Sequence, residues 1–251
     1  VHTFTVATVW AGLQAAARFA NLFGERDLVE KYIRAADEIK QGLITYLYRP
    51  ELGRFARMMK PQIAKVLPGS QHEYDTTIDA SLFGVWYFGV LDVDDQMVES
   101  TMRAVEERLW VKTEVGGMAR YENDTYYQVS QDIANVPGNP WFICTLWLAQ
   151  YRIARAKKSE ELKEALGLMK WVTDHALDSG VLAEQVHPHT DAPLSVSPLT
   201  WSHAQYVTAV MEYLHKLFEL KRRESIGQPV LDERRDPNTM PARMEEFRLK
   251  K

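Results

Sequence analysis

Cysteine is nearly absent from this chain: Cys144 is the single one in 251 residues, so no internal disulfide and no paired-cysteine metal motif is possible. It sits in the apolar run WFICTLWLAQ, where a small core residue is expected. Long apolar runs are missing as well. No stretch reaches the ~18 residues of a membrane span, and no charged-then-apolar leader opens the chain. A membrane partner is therefore not expected; a cytoplasmic location is expected, with any N-terminal signal lying outside this sequence. Excess positive charge is also lacking: 30 Lys and Arg against 34 Asp and Glu give a formal net charge of −4. Such a balance leaves no electrostatic footprint for nucleic acid. Gly-rich phosphate cradles and a Gly-x-Ser-x-Gly elbow are absent too.

What is present is the composition of an ordinary globular protein, 46% apolar and 25% charged. A chain of this length can bury a sizeable core. Val1 opens it in place of Met and a helix is expected almost at once, the pattern of a cut or processed chain.

Helical periodicity dominates. From Phe4 to Phe23 apolar residues run nearly all round, with Gly24 as a stop, so this helix should be buried on most sides. A second, amphipathic helix is predicted from about Asp27 to Leu47, a third from Thr76 to Phe88 and a fourth from Asp94 to Leu109. Asn139 as N-cap and Pro140 at the first helical position open a fifth, through about Ala156. A sixth follows from Ser159 to about Ala176. Ser197-Pro198 repeats the start chemistry for a seventh, carrying Tyr206, Val207, Val210, Leu214 and Leu217. Strand alternation is confined to short segments such as Arg54 to Met58 and Gly117 to Tyr121. From about Gly227 to Lys251 the chain is polar, prolyl and charged, and is predicted to be an extended arm.

The fold is thus all-α, with about seven long helices in hairpins that alternate a nearly all-apolar helix with an amphipathic one. That alternation suits the inner and outer layers of an α/α toroid, and a helical solenoid would share it. The long loops 110–139 and 177–197, rich in Gly, Pro, Tyr and His, favour the toroid, because solenoid connections are usually short. Loops of that length usually carry function.

The loop GVLAEQVHPHTDAPLSVSPLTWSHA sets one carboxylate, Glu184, among prolines and histidines and brings Trp201 soon after. Aromatic faces stack on sugar rings, and carboxylates move protons at glycosidic oxygens. An exposed glutamate on an ordinary interhelical loop would look the same. The earlier loop, GGMARYENDTYYQVSQDIANVPGNPWF, presents Arg120, Asp124, Tyr126, Tyr127 and Trp141, groups that hydrogen-bond to and stack on a polyol. Its alternative reading is an Arg-Asp pair that holds the loop while aromatics plug the core. His187, His189 and His203 raise a metal reading, but no helical His pair at four-residue spacing supports it, so neither a metal nor a cofactor is expected.

Both loops resemble family 15 glycoside hydrolases, the glucoamylases and glucodextranases. In that family a Glu-Gln pair precedes a Leu-Thr-Trp-Ser helix start, here Glu184-Gln185 and Leu199-Thr200-Trp201-Ser202, and an Arg-Tyr-x-x-Asp-x-Tyr run precedes Gly-Asn-Pro-Trp-Phe. The likeness spans about Gly116 to Val210, and VHTFT resembles the segment that follows the family's Trp-Glu-Glu motif. The resemblance implies an incomplete (α/α)6 six-hairpin toroid over residues 1–226. It also implies inverting hydrolysis of α-glucosidic bonds, with Glu184 as general base and Arg120, Asp124, Tyr126, Trp141 and Trp201 lining the sugar site.

No Trp here is followed by Glu, so the motif that bears the family's general acid is not in this sequence. The chain is accordingly expected to be inactive alone. It should also either self-associate through its first helix, with Val6, Trp10 and Leu13, or bind the missing N-terminal part of the barrel. Trehalases of the same family typically read Glu-Glu-Tyr-Asp at the base, unlike Glu184-Gln185-Val186-His187. A non-catalytic glycan-binding or regulatory domain, as in phosphorylase kinase regulatory subunits, is the reading from another class.

Overall fold

The computed structural model describes residues 1–60 and 72–226, so the predicted C-terminal arm lies outside the described residues. Seven α-helices are present among these: α1 (Thr3–Leu22), α2 (Arg26–Gly42), α3 (Gly84–Tyr87), α4 (Gln96–Leu109), α5 (Phe142–Arg155), α6 (Leu162–Asp174) and α7 (Thr200–Ile226). Three two-stranded antiparallel ribbons decorate them. They pair β1 (Tyr48–Arg49) with β2 (Arg54–Phe55), β3 (Met58–Lys60) with β4 (Glu73–Asp75), and β5 (Gln185–Val186) with β6 (Pro193–Leu194).

Helices α1 and α2 form one antiparallel hairpin, and α5 and α6 another, with α7 packed on both α5 and α6. The predicted alternation holds best in the second hairpin. Eleven of the fourteen residues of α5 are buried, whereas α6 buries a single stripe, Leu162, Ala165, Met169 and Val172. Because α5 is apolar all round, one face joins Ile143, Trp147 and Tyr151 to the core around α1, α3 and α4. Its other face joins Phe142, Leu146 and Ile153 to the core under α6 and α7. A fully buried ring such as Phe142 contributes roughly 1.5–3 kcal/mol. Cys144 lies in this interior, and burial pushes its thiol well above the ordinary range.

Several predicted boundaries need correction. Helix α1 is not buried on most sides: Val9, Phe19 and Leu22 are exposed, while Trp10 is buried and Val6 and Leu13 are packed on the core. The helix expected over Thr76 to Phe88 begins only with a 3₁₀ turn at Ala80–Phe83, followed by the single turn of α3. The backbone N–H groups upstream are taken elsewhere, that of Ile78 by Glu122 Oε2 at 2.8 Å and that of Ala80 by Arg120 O at 2.8 Å. Helix α5 begins at Phe142 with Trp141 as its N-cap, not at Asn139-Pro140. Pro140 and Trp141 instead bridge to Ala119 and Gln185 as extended chain. Helix α7 opens at Thr200 rather than at Ser197-Pro198, since the Leu199 N–H is still paired with Leu182 O. On α7, Val207 and Leu214 face outward, and Tyr206, Val210, Tyr213 and Leu217 pack inward.

The segment Gly117 to Tyr121 bridges rather than loops freely: Trp110 with Met118, Ala119 with Pro140, and Trp141 with Gln185 make a ribbon one residue pair wide across the start of α5. Gly117 permits it. Its φ is +87°, and a Cβ there would lie 2.5 Å from Trp171 Cζ2 and 2.9 Å from Pro140 Cβ. Neither ring can step aside, so Gly117→Ala should destabilise the protein by about 3 kcal/mol, combining backbone strain with overpacking. Thermal or denaturant unfolding would check this, and a shift within error would show that the seam is softer than its packing implies.

Candidate active site

Arg120 leaves the ribbon just after the Ala119 bridge. Its Nε and Nη2 donate to Oδ2 and Oδ1 of Asp124, each at 2.8 Å, and Asp124 Oδ1 also accepts the Tyr126 N–H at 3.0 Å. Asp124 is buried with both oxygens engaged, so it reaches a ligand only through the fork it aims. The guanidinium lies 4.6 Å from the Trp141 ring centroid and 5.2 Å from that of Tyr126. Partial burial works against its charge, but the Asp124 hydrogen bonds outweigh that, and Arg120 titrates above its ordinary range. The result is a fixed cation held over aromatic faces, with Tyr126 exposed at the rim.

Glu184 stands directly before β5 and is half-buried. Ser195 Oγ donates to its Oε2 at 2.5 Å, and Gln185 Nε2 donates to the same oxygen at 3.2 Å. Among the described residues no hydrogen bond reaches Oε1, which is left able to accept a proton. The Tyr126 hydroxyl lies 3.4 Å from Ser195 Oγ. Since a serine hydroxyl has one hydrogen and here gives it to Glu184, Tyr126 is the donor in that contact. The two loops thus meet through Tyr126, Ser195 and Glu184. They also meet through the backbone bridge from Trp141 to Gln185.

Trp201 is placed differently. The first turn of α7 is tied to the strand before Glu184 by Ser202 Oγ donating to Ala183 O at 2.8 Å and by Leu182 N–H donating to His203 Nε2 at 3.0 Å. The Trp201 ring itself packs edge-on against Trp147, 5.9 Å between centroids, and is 52% exposed. It therefore flanks the cluster of the other five residues. The histidines have hydrogen-bonding tasks of their own: His187 Nδ1 accepts the N–H groups of His189 and Thr190, each at 3.2 Å, closing a turn. Among the described residues no group of three or more His, Cys, Asp or Glu could hold a metal ion.

Asn123, Tyr127, Asp191 and Ser195 are the non-glycine residues with positive φ among those described, and all four lie in these two loops. Left-handed backbone at such residues is costly and gathers where loops are held for a purpose. Sequence pattern gives no sign of Ser195 or Asn139 as members of the site. Ser195 is a lone hydroxyl between Leu194 and Val196, and Asn139 reads as a helix cap.

An α-helical array of hairpins joined by long loops is the architecture of the six-hairpin glycosidases. The chain belongs to the glycosyl hydrolases family 15, whose sequence model matches residues 1–211. It is 31% identical to an uncharacterised glycosyl hydrolase of Methanocaldococcus jannaschii over 84% of its own length and 32% of the relative's. It is 28% identical to a glucoamylase of a Clostridium species over 86% of its own length and 32% of the relative's. The structure superposes on a bacterial glucoamylase complexed with acarbose with a TM-score of 0.69 and 26% identity, covering 86% of this chain and 34% of that one. The chain therefore spans about a third of these relatives. No helix among the described residues is long and apolar enough to cross a membrane.

Removing the Ser195 donor should weaken the hold on Glu184 Oε2. Ser195→Ala is expected to cost about 1.5–3 kcal/mol of stability, the range of a hydrogen bond to a charged group. Denaturant unfolding would read it, and a change within error would show that Ser195 does not hold Glu184.

Proposed function

We propose that this chain carries the base half of an inverting α-glucosidase that releases terminal glucose from α-glucans, as glucoamylases and glucodextranases do. The observation that carries the reading is Glu184, whose Oε2 takes two donors while Oε1 receives none among the described residues. A carboxylate so held stays oriented and keeps one oxygen for the proton of an attacking water. Arg120, aimed by Asp124, would bind sugar hydroxyls beside Tyr126 and Trp141, and Trp201 would close the wall. The general acid would come from helices outside this sequence, roughly 6.5–9.5 Å from Glu184 so that water fits between.

The test is Glu184→Gln in the enzyme with its ring complete. Hydrolysis should fall ~10²- to 10⁴-fold while sugar binding survives, because the amide keeps the shape and cannot take the proton. The glucose first released by the unsubstituted enzyme should be the β-anomer. Near-normal turnover in the variant would hand the base role to another residue. Faster cleavage of trehalose than of maltose, isomaltose or starch would reassign the substrate. Sugar binding without hydrolysis would favour a regulatory domain.

Such helices would also fit what the surface leaves bare. Val207, Met211, Leu214 and Phe218 repeat at four, three and four residues along one face of α7, exposed by 48 to 73%. At the other end of the chain, Phe19, Leu22 and Phe23 are exposed by 63 to 78% where α1 turns into α2. Both are apolar faces of the kind a monomer seldom leaves open. We assign both to the hairpins that complete the toroid. Mixing the chain with those hairpins should give a one-to-one complex by light scattering, lost on Met211→Lys with Phe218→Lys. A strictly monomeric chain that ignores them and hydrolyses maltose alone would overturn both this assignment and the divided site.

A further inference from the structure

The asparagine expected to cap α5 is a buried cross-link between the two loops. Resting on the function just argued, we propose that Asn139 is a positioning residue for Glu184, acting by fixing which way the Gln185 amide faces. Asn139 and Gln185 are 1% and 0% exposed. Asn139 Nδ2 donates to Tyr127 O at 2.7 Å and to Gln185 Oε1 at 2.9 Å, using both amide hydrogens. Gln185 Nε2 in turn donates to Glu184 Oε2 at 3.2 Å.

The direction of this chain is set at its far end. A backbone carbonyl is an acceptor only, so Tyr127 O obliges Asn139 to present its NH₂ group. Gln185 must answer with its oxygen, and its own NH₂ is thereby turned onto the carboxylate. Reversing either amide would set oxygen against oxygen in a dry interior, where an unmatched polar contact is costly. Tyr127 itself is held at φ +54°, which presents that carbonyl to Asn139. Asn139 Oδ1 is buried without a partner among the described residues, so the side chain is oriented entirely by its two donated bonds.

Asn139→Asp keeps the volume and removes the donors, and even a protonated Asp offers one hydrogen to two acceptors. Gln185 should then turn its NH₂ toward residue 139 and its oxygen toward Glu184. In the ring-complete enzyme kcat on maltose should fall at least about tenfold with KM within about twofold, the signature of a misplaced reacting group. Asn139→Ala, which frees Gln185 without reversing it, should lose less. Both changes should lower stability, Asn139→Asp the more because it buries an unmatched oxygen, so the split between kcat and KM, rather than stability, separates positioning from a purely structural role. The Gln185 side-chain amide resonances in a ¹⁵N spectrum should shift in Asn139→Asp, a readout independent of activity. Unchanged amide resonances, an unchanged kcat, or a greater loss in Asn139→Ala than in Asn139→Asp would each overturn the proposal. If the unsubstituted enzyme cleaves no α-glucoside, the functional reading fails by itself, and the amide spectrum still decides whether Asn139 sets Gln185.

Discussion

The two long loops of this fold hang on one narrow ribbon of backbone. Met118 and Ala119, Pro140 and Trp141, then Gln185 and Val186 lie side by side, joined by Trp141 N–H to Met118 O at 2.8 Å and Val186 N–H to Pro140 O at 2.9 Å. Thr145 inside α5 fastens the ribbon to the helix, accepting the Met118 N–H at 3.0 Å and donating to Trp141 O at 2.9 Å. Arg120, Trp141 and Glu184 each lie on this ribbon or within one residue of it. Long loops are ordinarily the least stable part of a fold, and a reacting constellation tolerates little looseness. The ribbon reconciles the two demands by anchoring Arg120, Trp141 and Glu184 within a residue of paired backbone on a buried helix.

The helices themselves were legible because burial is periodic. The apolar stripes of α4 and α6 and the all-round apolar α5 read directly from spacing, and so did the two long loops between them. The starts of α3, α5 and α7 did not, and for a shared reason. Asn139-Pro140 and Ser197-Pro198 carry local capping chemistry, yet the neighbouring backbone is claimed by partners far along the chain, so tertiary pairing displaces the local signal. Of the site, the residues with distinctive chemistry, Glu184, Arg120 and Trp141, could be picked out. Ser195, Gln185 and Asn139 could not, since a serine or an amide has meaning only through the group it faces.

The exposed stripe of α7 shows the complementary limit of reading by periodicity. Tyr206, Val210, Tyr213 and Leu217 face the core, and Val207, Met211, Leu214 and Phe218 face away from it. One helix thus carries two apolar faces, which a sequence pattern registers only as a helix buried on many sides. Helix α1 shows the same ambiguity: Trp10 and Ala17 face inward while Val9 and Phe19 do not. Both helices lie toward the ends of a chain that spans about a third of its relatives. Apolar surface on two sides suits a helix with a neighbour on either hand, whereas α6, with its single buried stripe, needs only one.

Polarity inside the site follows from the same geometry. Asp124, Asn139 and Gln185 are among the most buried polar residues described, and they form a layer beneath the half-buried Arg120 and Glu184. Asp124 aims Arg120, and Gln185 faces Glu184 under the control of Asn139. Burial strengthens such hydrogen bonds and makes their reversal costly, so the interior layer fixes orientation while the rim keeps its water. A carboxylate reached from one side by Ser195 and Gln185 and open on the other is the outcome. Its direction traces back through two amides to the backbone carbonyl of Tyr127, the one group in the series that has no second way to turn.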